Sequence, residues 1–336
     1  MSDFLHAAAP SFGSTRRRWL AAVGGAAALS ALPSWAQEYP ARAVKLVVPF
    51  PPGGSTDVAG RVLGQSMGKA LGQPFVVDNR AGAAGALGMD LVAKSAPDGY
   101  ALGVGGVGAM VTLELLGRKL PYDAEKDLVA VGHMGSLGLA IAVKSELKVK
   151  NLADLIAMAK AQPGKLSYGT SGSGSPGHLA FEYLKSLTGI AVVHIPYRGD
   201  VPLITDVMGG QIDIGVLTGS GAVAQAKSSN LRLLAVTSAR RFAQLPDVPT
   251  VAEAGVKGYE ADIWNVMVAP AGTPEAVVAR LNRALNAALT DPLVLSQFAA
   301  QGLVPTAMSA PQTAQFVRDE RRKWADVVKK SGAKLD

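Results

Sequence analysis

Val44-Lys45-Leu46-Val47-Val48-Pro49-Phe50-Pro51-Pro52-Gly53-Gly54-Ser55-Thr56-Asp57-Val58 is the stretch on which the fold turns. The β-branched run Val44–Val48 predicts a strand, and Val58 to Leu71 carries a helical pattern. Between them lies a glycine loop without Lys or Arg. A strand, a glycine loop and a helix N-terminus in that order present unpaired backbone N–H groups and the positive end of a helix dipole. Pro51 and Pro52 stiffen the approach, and Gly53 and Gly54 allow a ligand close to the backbone. Ser55 and Thr56 add hydroxyls, and Asp57 is expected to cap the helix. Phe50 either walls a pocket or anchors the loop in the core.

The same arrangement recurs far along the chain. Tyr168-Gly169-Thr170-Ser171-Gly172-Ser173-Gly174-Ser175-Pro176-Gly177-His178 follows a strand pattern and opens the helical run Leu179 to Thr188. Thr170, Ser171, Ser173 and Ser175 supply hydroxyls, Gly172 supplies backbone freedom, and no cationic group accompanies them. His178 is read either as a donor to a ligand or as a hydrogen-bond partner of its own loop. Two such junctions suggest two jaws closing on one small anion. A third glycine loop, Arg80-Ala81-Gly82-Ala83-Ala84-Gly85, follows the strand pattern Phe75–Asn79 and adds Gly82 and Ala83 to the expected site.

Around these loops, strand and helix patterns alternate to the C-terminus. Val129 to Val143 reads as one long β run broken by glycines, and Ala310–Lys330 as a closing amphipathic helix. Alternating βα units predict an α/β fold with parallel-rich sheets. Open sheets of this kind bind ligands at the carboxyl ends of their strands, where both glycine loops fall.

The N-terminus reads as an export signal. Thr15-Arg16-Arg17-Arg18-Trp19-Leu20 has twin-arginine character, a short apolar stretch reaches Leu32, and Ser34-Trp35-Ala36 offers small residues for cleavage before Gln37. The apolar stretch is shorter than the roughly 20 residues a permanent membrane helix needs. Cleavage after Ala36 places the protein in the periplasm and removes three Arg and one Asp, which takes the net charge from +7 to +5. The basic residues are dispersed, which argues against nucleic acid as a partner. With no cysteine, neither disulfides nor cysteine-ligated zinc are available. The four histidines show no metal-ligand spacing, so no cofactor or metal is expected.

Enzyme motifs are present only in form. Gly64-Gln65-Ser66-Met67-Gly68 has the Gly-x-Ser-x-Gly pattern but falls inside a predicted helix rather than at a strand-to-helix elbow. Gly103-Val104-Gly105-Gly106-Val107-Gly108 has the dinucleotide spacing, but Asp127 precedes the next strand instead of ending it. This segment is read as a ligand-lining or structural glycine loop.

The ordered set of motifs resembles the tripartite tricarboxylate transporter substrate-binding proteins, or Bug receptors. The resemblance is carried by Pro49–Asp57, Asn79–Gly85, Asp98-Gly99-Tyr100, Tyr168–Gly174 with His178, and Pro196-Tyr197-Arg198-Gly199. Gly209–Asp213, Leu245–Thr250 and Ala269–Pro274 continue it. It implies a two-lobe periplasmic binding protein of type II-like fold, with two crossing hinge strands near Gly132–Ala142 and Tyr259–Val268. The lobes would be residues 37–136 with 265–336, and 137–264. It further implies a monomer that holds a small organic carboxylate through backbone amides and water and hands it to membrane permease subunits.

The chain departs from the family pattern at three places. Asp200 stands where a small residue is usual; it is read as a helix N-cap or as a partner for a ligand ammonium, the cap being favoured. Val216-Leu217-Thr218-Gly219 and Asn265-Val266-Met267 also differ, and both are expected to reshape the pocket floor. The alternatives are a binder of an acidic amino acid or amide, a ligand sensor for a membrane kinase, and a nucleotide-dependent α/β enzyme.

Overall fold

A computed structural model describes residues 39–333; the export motif and the cleavage site at Ala36 lie outside them. Eleven strands form two sheets: β1 (Val44–Val48), β2 (Phe75–Asn79), β3 (Ala101–Gly106), β4 (Leu128–Leu137), β5 (Leu139–Lys144), β6 (Ser167–Thr170), β7 (Val193–Pro196), β8 (Ile214–Thr218), β9 (Leu231–Val236), β10 (Ile263–Pro270) and β11 (Leu303–Val304). The first sheet has the order β11-β4-β10-β3-β1-β2, and the second β7-β6-β8-β5-β9. Both belong to one unit that begins at Arg42.

Each sheet is mixed. In the first, β1 lies between β2 and β3 and runs parallel to both. In the second, β6 lies between β7 and β8 and again runs parallel to both. After β1 the chain goes to one side of it and then to the other; after β6 it does the same. Each is therefore a topological switch point, where the connections diverge and leave a crevice at the strand's carboxyl end. The two serine- and glycine-rich loops leave β1 and β6, so they occupy corresponding places in the two sheets.

The antiparallel strands carry the chain between sheets. The apolar run expected as one β element is two: β4 pairs with β10 in the first sheet, and β5 pairs with β8 and β9 in the second. The break is at Gly138. A Cβ there would lie 2.6 Å from the Phe242 ring and 2.7 Å from Ser238 Oγ, so only glycine fits where the outgoing chain passes the returning one. The return leads from β9 to β10, with the Ala261 amide donating to the Thr237 carbonyl on the way. The outgoing chain, at Gly138 within the expected Gly132–Ala142, meets the return at Ser238 and Phe242, which lie ahead of the expected Tyr259–Val268.

Helices cover the sheets because their apolar stripes repeat at helical spacing. Ser55–Leu71 buries Ala59, Val62, Leu63 and Met67. Pro176–Thr188 buries Leu179, Ala180, Phe181 and Leu184, with Phe181 stacked on Tyr168 of β6 at 4.1 Å. The C-terminal helix Ala310–Ser331 opens with a capping box between Ser309 and Gln312. It is tied to β10 at one carboxylate: Trp264 and Trp324 both donate from Nε1 to Glu320 Oε2, at 2.8 and 2.9 Å. The helix Pro292–Ala300 and strand β11 were not expected. Asp291, whose side chain accepts from the Leu293 amide, and Pro292 at the first turn start that helix, a signal present in the sequence. Among the described residues no helix is long and apolar enough to cross a membrane.

Candidate functional site

A cavity of about 650 Å³ opens where the two switch points face each other. From the first sheet it is lined by Phe50, Pro51, Pro52, Gly54, Ser55 and Thr56 after β1, by Ala84, and by Gly106, Val107 and Gly108 after β3. The second sheet contributes Ser171, Gly172, Ser173, Gly174, Ser175 and Pro176 after β6, with Thr218 and Ser220 after β8. Leu137, Ile263 and Asn265 form its floor at the crossings, and Leu113 and Arg118 complete it. Both loops singled out in the sequence thus face one space.

The first loop owes its shape to Asp57, which is 2% exposed. Asp57 Oδ2 accepts from the Gly53 amide at 2.9 Å and from Arg61 Nε at 2.9 Å, and its Oδ1 accepts from Asn79 Nδ2 at 2.8 Å. Asn79 Nδ2 also donates to the Phe50 carbonyl, at 3.0 Å. One carboxylate and one amide therefore hold both ends of the segment Phe50–Gly53. Burial pushes the Asp57 carboxyl upward, but the hydrogen bonds from Arg61, Gly53 and Asn79 outweigh it and leave it below the usual carboxylate range. Gly53 has φ +89°, a left-handed value that favours glycine. Asp57 is consequently not the helix cap expected from the sequence. Gly54 is the N-cap residue, without a side-chain cap, because the Asp57 oxygens are taken by the loop. The N–H groups of Ser55 and Thr56 are left without an acceptor among the described residues, at the positive end of a 17-residue helix.

The second loop is capped and braced from behind. Ser175 caps the Pro176–Thr188 helix, its Oγ accepting from the His178 amide at 3.3 Å. His178 Nδ1 accepts from the Gly174 amide at 3.0 Å, and its ring stacks on His194 at 4.0 Å. His194 Nε2 in turn pairs with Thr170 Oγ1 at 2.8 Å. Beneath them the Tyr168 hydroxyl donates to Glu182 at 2.6 Å, and burial together with that carboxylate drives the phenol pKa far up. His178 and Thr170 therefore support the loop from the buried side and do not line the cavity. For His178 the structural reading of the sequence is the one the geometry favours.

Other expectations shift by a residue or more. Gly53, Gly82 and Ala83 are exposed but lie outside the lining, and Ala84 takes their place. Ala83 and Ala84 have φ of +48° and +52°, a left-handed pair of alanines costing about 1–3 kcal/mol each. Asp200 is the first residue of its helix, whose N-cap is Gly199 without a side-chain bond. It is neither a cap nor a lining residue. Its Oδ2 accepts from both the amide and the hydroxyl of Thr218, at 2.9 and 2.5 Å, and so fixes the cavity edge at Thr218 and Ser220.

Several lining residues carried no sequence signal strong enough to single them out. Arg118 is the single charged side chain among the described lining residues. It sits in an irregular loop after a π-turn, Gly108–Thr112, with no periodicity to announce it. Thr218 and Asn265 lie in the two segments that depart from the family pattern, which was the available signal. The enzyme motifs find structural uses: Ser66 lies within the Ser55–Leu71 helix and donates to Asp291 Oδ2 at 2.8 Å, and Asp127 accepts from the Asp123 amide. Among the described residues no group of three metal-ligating side chains comes together.

Residues 59–333 match the family described as "Tripartite tricarboxylate transporter family receptor". Protein BugT of Bordetella pertussis is 42% identical over 306 residues, covering 91% of this chain and 94% of that protein. A protein of R. palustris solved with adipate is 34% identical, with a TM-score of 0.75 over 89% of this chain and 100% of that one. MatC of Rhodopseudomonas palustris, solved with bound malate, is 31% identical, with a TM-score of 0.71 over 86% of this chain and 100% of that one.

Proposed function

The chain belongs to the tripartite tricarboxylate transporter receptor family, and from that premise we propose that it is a periplasmic solute receptor that captures a small organic carboxylate. It passes the ligand to membrane permease subunits and acts as a monomer. The observation that carries this reading is the meeting of two glycine loops, each at a switch point of its own sheet, on one cavity. Apart from Arg118, the donors there are neutral: amides at a helix N-terminus, serine and threonine hydroxyls, and one buried asparagine. Arg118 adds one positive charge and no acidic side chain lines the cavity among the described residues, which favours an anion. Adipate and malate, bound by the two relatives, support the chemical class.

Residues 37–136 with 265–336 form one lobe and 137–264 the other in this reading, supported by the two sheets and the crossing at Gly138. Closure of the lobes brings the second loop onto an anion held by the first. Delivery follows export through the twin-arginine signal and cleavage after Ala36. The amino-acid alternative is weaker, because Asp200, the group for a ligand ammonium, is engaged with Thr218.

Calorimetry with a panel of di- and tricarboxylates, aromatic acids and acidic amino acids tests the reading. A Cβ at Gly54 would meet only the Pro51 carbonyl at 3.9 Å, so Gly54→Val should fold while filling the cavity wall. Ser171→Ala with Ser173→Ala removes two hydroxyls, each worth about 1.5–3 kcal/mol if bonded to a charged ligand. Both variants should lose about tenfold or more in affinity at unchanged melting temperature. Unchanged affinity in both would refute the two-loop site.

A further inference from the structure

Asn265 stands at the centre of the first sheet, on β10 between β3 and β4. It is 3% exposed, yet it lines the cavity. Its neighbour across the ladder on β3 is Gly106, and on β4 it pairs with Gly135. Gly106 contributes no side chain; a Cβ built there would sit 3.6 Å from Asn265 Oδ1 in space that now belongs to the cavity. The β10–β4 register shifts between Asn265 and Val266, an irregularity of the kind that re-aims a side chain. The side-chain amide makes no hydrogen bond with any described residue.

This amide carries two donors and an acceptor that no described residue bonds; in the open cavity they face solvent, and a ligand that displaces that solvent must match them or leave them unpaired. In the carboxylate reading, the ligand's carboxylate takes the amides and hydroxyls of the two loops at the helix starts, which are separate elements from β10. We infer that Asn265 is a specificity-determining residue that reads a second oxygen on the ligand, a hydroxyl or carbonyl borne on the carbon skeleton apart from the carboxylate held by the loops. This rests on the reading of the cavity as a carboxylate site. The receptor then distinguishes an oxygenated acid from its plain counterpart, because the plain acid leaves the amide buried and unpaired. Leu137 and Ile263 beside it supply an apolar floor for the rest of the skeleton.

The test uses matched acids that differ by one oxygen: malate with succinate, 3-hydroxyadipate with adipate, and mandelate with phenylacetate. Calorimetry on the full mature protein should show the oxygenated member of at least one pair binding about tenfold or more tighter. Asn265→Leu, close in volume, should bring that ratio to about threefold or less while keeping or improving affinity for the plain acid. Asn265→Ser, which keeps a hydroxyl in a smaller side chain, should retain part of the preference and gives the same comparison if the leucine variant does not fold. Equal affinities within every pair for the wild type would overturn the inference and leave the carboxylate reading intact. So would a preference that survives in a folded leucine variant. Absence of binding for all six acids, alongside binding of a neutral compound that Gly54→Val abolishes, would overturn both.

Discussion

Replacing Asp57 with alanine removes the group that holds both ends of the first loop. The Gly53 amide and Asn79 lose an ionised acceptor, at about 1.5–3 kcal/mol for each bond to a charged group. The Arg61 partner is half-exposed, so its ion pair adds only about 0–1 kcal/mol. Loss of the carboxylate also removes its own desolvation cost, which sets the net destabilisation at about 2–4 kcal/mol. The melting temperature should fall by roughly 5–10 °C in a protein of this size. Because the freed segment must be ordered again by each ligand, affinity should drop by about tenfold or more, an ordering cost of about 1–2 kcal/mol per residue. The pH dependence carries a sign. The folded carboxyl lies below its unfolded value, so its stabilisation is present above the ordinary carboxylate range and fades as pH falls through the folded value. The alanine variant should therefore lose less stability on acidification than the wild type. Thermal unfolding from neutral to acid pH, with calorimetry on the tightest acid of the panel, measures all three. An unchanged melting temperature would refute the bracing role. A lowered one with intact affinity would show that the loop is not part of the binding site.

Asp262, at the returning crossing, has Oδ1 enclosed and unpartnered, and its pKa is pushed up to about 7 by burial and by Glu260, against Lys323. With the folded value above the unfolded one, stability should decline as pH rises from about 4 through 7; Asp262→Asn should flatten that decline, and an identical profile in the variant would contradict it. Arg16→Lys with Arg17→Lys should leave precursor in the cytoplasm; mature protein in the periplasm at normal yield would remove the twin-arginine reading.

The fold was readable where local chemistry is strong. Val44–Val48 and the glycine loop after it announced a strand and a helix start, and the Tyr168–His178 segment did so again. The split of the Val129–Val143 run was harder, because both halves are apolar and β-branched. Only the approach of Phe242 and Ser238, about a hundred residues away, makes Gly138 the point of departure. The site was readable to the extent that it is backbone. Phe50, Pro52, Gly54, Ser55, Thr56, Ser171, Gly172, Ser173 and Ser175 do line the cavity. Polar side chains were harder to place, since a short polar group beside a glycine loop suits a ligand and a loop equally well. Asp57, His178 and Asp200 turned inward to backbone amides and a hydroxyl, whereas Asn265, in an apolar strand, turned toward the cavity. Sequence spacing holds no information about that choice; the ladder partners Gly106 and Gly135 do.

The composition of the cavity wall has a consequence for the conditions in which it works. Among the described lining residues there is no Asp, Glu, His, Lys, Tyr or Cys, so the wall has no carboxylate, imidazole, amine, phenol or thiol to change its charge. The wall therefore presents one electrostatic face across the pH range in which such side chains would titrate. Any acid or alkaline limit on capture must come from the ligand's own ionisation or from groups behind the wall, such as Asp57 and Asp262.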